Sequence, residues 1–217
     1  MLELYAHPFS SYSQKVLTAL YEYHLDFDFR MLSPDQPANM AALAAVWPFR
    51  KFPVLIDNGT PLREATIIVE HLTLHHAAGA PLIPADATAA LDVRFMDRFF
   101  DIYIATPQQR IIYNALRPEG QRDPLGDDEA RAGLDTAYAW LDGRMAGLEW
   151  ACGDFSLADC SAAPQLFYAD WTHPIGDRFP NVTAYRQRLL ARPSFARCVE
   201  EARPHRPLFP LGAPDRD

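Results

Sequence analysis

The first eighty positions alternate between two periodicities. Leu2 and Leu4 alternate with polar neighbours as in a short strand, and Val16, Leu17, Leu20 and Tyr21 then share one helical face within SSYSQKVLTALYEY. Leu25, Phe27 and Phe29 repeat at every second position, which predicts another strand, and the Ala-rich Met40–Val46 predicts a short helix. In FPVLIDNGTPLREA, Val54–Ile56 and Pro61–Arg63 flank an Asn-Gly turn, the mark of a hairpin. Thr66–His75 is then helical, with Ile67, Ile68 and Leu72 turned inward. The order β-α-β-α-β-β-α predicts a mixed four-stranded sheet that opens on a βαβ unit.

Around Ala77–Ala85 the chain becomes a Gly/Pro connector, and strand signals then cease. Ala87–Leu116 is one long helical pattern carrying Leu91, Phe95, Phe99, Ile102 and Tyr103. Glu129–Leu148 is a second, with Leu134, Tyr138, Leu141 and Met145, and Leu157–Trp171, Val182–Ala191 and Phe195–Ala202 supply three more. Ser156 and Asp159 have the spacing of a capping box, and Asn181 and Ser194 are expected helix caps after prolines. The last fourteen residues carry four prolines and are expected to pack as an extended tail rather than a helix. The pattern divides the chain into an α/β domain over 1–78 and an all-α helical bundle domain over 86–217.

Composition narrows the class. The 49% hydrophobic and 22% charged residues describe an ordinary folded chain, and a net charge of −8 argues against a nucleic-acid partner. No run approaches the roughly 18 apolar residues of a membrane span, and the N-terminus lacks the basic flank of a signal peptide, so no membrane partner is expected. Cys152, Cys160 and Cys198 are odd in number and lack CxxC spacing, which reads as reduced core thiols in a cytoplasmic protein. Lysine occurs only at Lys15 and Lys51. His71 and His75 are spaced i, i+4 with His76 beside them, but no HExxH or cysteine partner accompanies them, and no metal is expected.

Five segments, LYAHPFSSYSQKV, RKFPVLIDNG, LREATIIVEHL, GDFSLADCSAAPQL and FPNVTAYRQRLLARPSFARC, stand in an order and spacing that resembles the cytosolic glutathione S-transferase superfamily, in its serine-type, bacterial-like form. The resemblance covers about residues 1–204. It implies a thioredoxin-like glutathione-binding domain, a helical second domain, a homodimer, and conjugation of glutathione, as substrate, to small hydrophobic electrophiles.

The chemistry needs a thiolate. A free thiol with a pKa near 8.5 is only about 3% ionised at pH 7, and a drop of about two units takes roughly 2.7 kcal/mol of preferential anion stabilisation. A hydroxyl at the positive end of a helix supplies such stabilisation, and Ser10 and Ser11 sit where strand 1 turns into helix 1. The resemblance picks Ser10 as the donor, with Ser11 expected as the helix cap, and Tyr5, Tyr12 and Ser11 itself stand as alternative donors. It further implies a cis peptide before Pro53, which frees the Phe52 backbone for the cysteinyl unit, and Arg50 or Lys51 for the glycine carboxylate. Glu64 would take the γ-glutamyl ammonium. Ala65 stands where the family has serine, so a hydroxyl for the γ-glutamyl carboxylate is missing unless Thr66 supplies one. Tyr103, Gln109, Tyr113, Tyr168, Trp171 and Phe209, with His7, are candidates for the electrophile pocket. Ser10 fills the cysteine position of thiol-transferring relatives, which argues against mixed-disulfide chemistry. Two rival readings are a glutathione-fold binding or regulatory module with little transferase activity, and a glutathione-dependent peroxidase or isomerase.

Overall fold

Alternation in β1 (Leu2–Ala6) buries Leu2, Leu4 and Ala6 on one face, and this strand becomes an inner member of the sheet. The computed structural model describes residues 1–77 and 79–217. β2 (Asp28–Met31) runs parallel to β1, while β3 (Val54–Asp57) and β4 (Thr60–Arg63) are antiparallel, in the order β2-β1-β3-β4. The hairpin turns at Asn58 and Gly59, whose φ values of 47° and 84° are those of a type I′ turn.

α1 (Ser11–Glu22) holds the two halves of the molecule together. Every residue from Ser13 to Leu20 is buried, because α3 (Ala65–His75) and the sheet cover one side while the helical half covers the other. Full burial of each Val or Leu side chain on α1 is worth about 1.5–3 kcal/mol. One apolar core therefore runs from Leu4 and Leu55 through Leu17 and Leu20 into Leu166 and Phe195. A smaller cluster of Leu32, Leu43 and Val54 lies under α2 (Pro37–Val46), and Tyr5 packs there.

The helical half comprises α4 (Ala87–Phe99), α5 (Thr106–Ala115), α6 (Pro124–Arg144), α7 (Leu157–Thr172), α8 (Pro180–Ala191) and α9 (Pro193–Ala202). The long pattern over 87–116 is continuous but passes through a π-helical stretch, Phe100–Ala105. α7 is buried along its whole length, and the capping box at its start is formed. The Asp159 carboxylate accepts from the Ala151 and Ser156 N–H groups at 3.0 and 2.9 Å and from the Tyr185 hydroxyl at 2.6 Å. No helix is long and apolar enough to cross a membrane among the described residues.

Several expectations are corrected. The strand predicted over 25–29 lies at Asp28–Met31, and α6 begins at Pro124 rather than 129. Asn181 and Ser194 are not caps: Pro180 and Pro193 occupy the first helical turn, where a missing N–H costs nothing, so Phe179 and Arg192 cap instead. Part of the proline-rich tail is helical after all, as a 3₁₀ stretch over Arg203–Leu208, since proline's fixed φ suits that geometry. Ile67 on α3, and Leu91 and Phe95 on α4, are 52%, 67% and 48% exposed rather than inward, and Val69, Val93 and Met96 take the core positions.

Candidate functional site

Two adjoining cavities, of about 380 and 370 Å³, open between the sheet domain's loops and α4–α5, and Tyr12, Lys51 and Phe52 line both. The first is walled by Trp47 and Pro53 on one side, Glu64 and Ala65 at the start of α3, and Arg98 and Asp101 from the helical half. The second is lined by Ser10 and Ser11, by Gln109, Ile112 and Tyr113 of α5, and by Tyr168 and Phe209.

Ser10 is itself the N-cap of α1. Its extended backbone (φ −95°, ψ 126°) lets Oγ accept from the Ser13 N–H at 3.3 Å, so Ser11 enters the first turn and is not the cap. A capping oxygen that accepts from the backbone still keeps its own O–H proton to donate. Both serines line the second cavity, at the positive end of α1. Tyr12 lies between the cavities, and its phenol is pushed well above its ordinary value by burial and then by Asp101, so it stays a donor. Tyr5 reaches neither cavity, because it points to the α2 side of the sheet.

The Phe52–Pro53 peptide is cis, and no backbone hydrogen bond engages Phe52 among the described residues. Lys51 borders both cavities, whereas Arg50, with φ 52°, borders neither. Glu64 precedes α3 at φ 68°, a left-handed conformation that costs about 1–3 kcal/mol for a residue with a side chain and directs an exposed carboxylate to the first cavity. Beside it, Ala65 presents only backbone.

Thr66 does not supply the missing hydroxyl. Its Oγ1 donates to Asp97 Oδ2 at 2.8 Å and accepts from Lys15 Nζ at 2.9 Å, which commits it to a buried cluster behind the cavity. In that cluster Lys15 Nζ lies 2.6 Å from Asp97 Oδ1 and 3.1 Å from Asp101 Oδ2, and Ser161 donates to Asp97. Burial, reinforced by Asp97, outweighs Lys15 and raises the Asp101 carboxyl above its ordinary value. Its other oxygen, Oδ1, is buried without a hydrogen-bond partner among the described residues, and Asp101 borders the first cavity.

The expected electrophile-pocket residues divide. Gln109, Tyr113, Tyr168 and Phe209 line the second cavity; His7, Tyr103 and Trp171 do not. Tyr103 is exposed and packs on Phe99, and Trp171 stands behind Phe209 with ring centroids 5.3 Å apart. The His7 ring turns to His205 at 4.7 Å, and its Nδ1 accepts from the Phe9 N–H. Burial and His205 together lower its pKa. Asp101, Arg98 and Trp47 were not foreseen. The usable signal was Asp97 and Asp101 at i, i+4, two like charges on one helical face, which need a shared cation.

Similarity to known proteins agrees with this geometry. The glutathione S-transferase N-terminal domain family matches residues 4–80, and the C-terminal domain family matches residues 112–188. Glutathione S-transferase GstB of Escherichia coli is 25% identical over 209 residues, covering 92% of this chain and 98% of that one. A glutathione S-transferase of Methylobacillus flagellatus, solved with glutathione bound, superposes with a TM-score of 0.82 at 26% identity, over 91% of this chain and 98% of that one. One from Methylobacterium radiotolerans, solved with glutathione sulfonate, gives 0.79 at 28% identity, over 91% and 94%. With both domains matched in order and the sheet, the helices and the cleft in place, the chain belongs to the glutathione S-transferase superfamily.

Proposed function

We propose that this chain is a glutathione transferase that binds glutathione along the first cavity and conjugates its sulfur to a small hydrophobic electrophile held in the second. The supporting observation is the continuity of the cleft. Groups suited to each end of glutathione adjoin a chamber walled by Ile112, Tyr113, Tyr168 and Phe209, with Ser10 and Ser11 on the chamber's wall and Tyr12, Lys51 and Phe52 shared by the two cavities.

In this reading the Ala65 and Thr66 N–H groups at the start of α3 receive the γ-glutamyl carboxylate. Glu64 and the unpartnered Asp101 Oδ1 receive its ammonium, the Phe52 backbone pairs with the cysteinyl unit as an added strand would, and Lys51 faces the glycine carboxylate. The Ser10 hydroxyl donates to the sulfur. The thiolate attacks the electrophilic carbon, the new C–S bond forms and the leaving group departs with the bonding electrons.

Turnover of 1-chloro-2,4-dinitrobenzene tests it. Ser10→Ala is expected to lower kcat/KM about 10–100-fold at neutral pH and to move its acid limb toward the free thiol value near 8.5, so the deficit shrinks in alkali. Ser11→Ala should leave that limb in place. An unchanged profile in Ser10→Ala removes Ser10 from the mechanism. Calorimetry distinguishes the rival: glutathione binding without turnover supports a binding module, which Ala65 favours, and no binding at millimolar ligand overturns both. Turnover of a hydroperoxide or an isomerisable substrate in place of the aryl halide would instead support the peroxidase or isomerase reading. We also propose a cytoplasmic homodimer. Exposed Ile67 and Leu74 on α3 with Leu91 and Phe95 on α4 form the apolar surface that a second copy would cover, and sedimentation decides it.

A further inference from the structure

At the end of the sheet remote from Ser10, three side chains converge without any role in the cleft. Asp57 is the last residue of β3 and pairs with Leu2 at the start of β1, whereas Ser10 follows the other end of β1. His71 lies in the last turns of α3 and His76 caps its C-terminus. The span from Ala65 to His75 is about 15 Å, which separates this cluster from the cavity at the other end of α3.

His71 Nε2 is 2.8 Å and His76 Nε2 is 2.7 Å from the same oxygen, Asp57 Oδ2, and one ligand atom from each residue lies within 4.8 Å of the others. Positions five apart diverge on a regular helix. Here the chain leaves helical geometry at His76 (φ −132°, ψ −1°), which swings its ring back toward His71. That break is why the i, i+4 pair His71 and His75 is misleading: the His75 ring lies tilted beside His71, with centroids 4.5 Å apart, but is not one of the converging ligands.

We propose that Asp57, His71 and His76 form a binding site for a divalent transition-metal ion of the zinc class. Two imidazole nitrogens and one carboxylate oxygen suit zinc, cobalt, nickel or copper and disfavour magnesium and calcium, which take oxygen donors. Tetrahedral coordination at bonds of about 2.0–2.1 Å sets ligand atoms about 3.3 Å apart, so each histidine nitrogen, freed of its proton, moves back from Asp57 Oδ2 by about half an ångström, and the two histidine nitrogens, which lie within 4.8 Å, settle at the same spacing. The side chains of Asp57, His71 and His76 are 11%, 21% and 25% exposed, which leaves an open side for a water as the remaining ligand. The carboxylate is already oriented. Asp57 Oδ1 accepts from Asn58 Nδ2 at 2.9 Å, and Asn58 Oδ1 accepts from the Met1 ammonium at 2.5 Å, an outer support of the kind that tunes metal ligands. An ion held there clasps the C-terminus of α3 to the hairpin and stabilises the folded state in proportion to its occupancy.

The test uses untagged, chelator-treated protein. Calorimetric titration with zinc chloride should show one equivalent bound, cobalt chloride should give the visible absorption of a tetrahedral N/O site, and zinc should raise the thermal midpoint. Magnesium chloride should do none of these. His71→Ala and His76→Ala should each weaken zinc binding about a hundredfold or more, and Asn58→Ala about 10–100-fold. His75→Ala and Cys152→Ser should bind as the parent does. If an alanine variant loses its fold, His71→Asn or His76→Asn, which keep a donor to Asp57, report in its place, with circular dichroism as the check on folding. No zinc binding by the parent, binding undiminished in both histidine variants, or a loss in His75→Ala or Cys152→Ser each overturns the assignment.

Discussion

Replacing Lys15 by methionine tests the buried charge cluster directly. The side chains of Lys15 and Asp97 are fully buried and that of Asp101 is 9% exposed, so the change removes the shared cation and leaves two carboxylates with only Thr66, Ser161 and Arg98 as partners. Removing one member of a buried ion pair costs about 3–5 kcal/mol, because the remaining charge is desolvated and uncompensated. In a chain of this size that corresponds to a fall of roughly 6–20 °C in thermal midpoint. Urea unfolding at pH 7 measures it, and repetition at lower pH tests the cause. An orphaned carboxylate destabilises the folded state only while ionised, so the gap between Lys15→Met and the parent should narrow as acid protonates it. Adding Asp97→Asn, which keeps a group able to meet Thr66 and Ser161, should recover much of the loss. A penalty below about 1 kcal/mol, or one that ignores pH, refutes the reasoning.

Two further outcomes follow from the structure. Ala65→Ser returns a hydroxyl to the first turn of α3 at the cavity wall, and a charge-assisted hydrogen bond of about 1.5–3 kcal/mol should tighten glutathione binding roughly tenfold or more; an unchanged calorimetric Kd contradicts it. Glu22 is opposed by burial, but Arg192, at 2.6 and 2.9 Å, together with Ser194 outweighs it and lowers the carboxyl's pKa. Its stabilisation is therefore present above the unfolded value of about 4.3 and lost as pH falls through the lower folded value, so urea unfolding of Glu22→Gln should show a shallower acid loss than the parent.

Element order and type were legible in the residues because each strand and helix carries its own period, and the hairpin carries its Asn-Gly turn. The errors have local causes. Pro180 and Pro193 read as stops ahead of caps at Asn181 and Ser194 but themselves open helices, since the first turn needs no N–H. Leu91 and Phe95 read as core because they are large, yet Val93 and Met96 face inward. Of the candidate site residues, Ser10, Lys51, Phe52, Pro53, Glu64 and Ala65 lie in consecutive motifs, and all six line the two cavities. What sequence spacing could not show is pairing across the chain. Thr66 is drawn off by Lys15 and Asp97, Asp101 reaches the cavity from another element, and Asp57 meets His76 only in the folded sheet.

Leu208, Phe209 and Pro210 close one side of the second cavity from outside the α4–α9 bundle. They are flanked by an exposed ion pair of Arg203 with Asp217 and by a pair of Arg216 with the buried Asp170, and Phe209 rests on Trp171. α1, which carries the proposed thiolate donor at its N-terminus, is buried from Ser13 to Leu20, where almost any change is felt by the core. The chamber's ceiling sits on a strap that meets the core through Phe209 and Ala213, with Arg206 over the Trp171 ring. In the proposed function, substrate range and thiol activation thus fall to parts of the chain with very different tolerance to mutation. A lineage can remodel the first by altering this short strap while the second stays untouched.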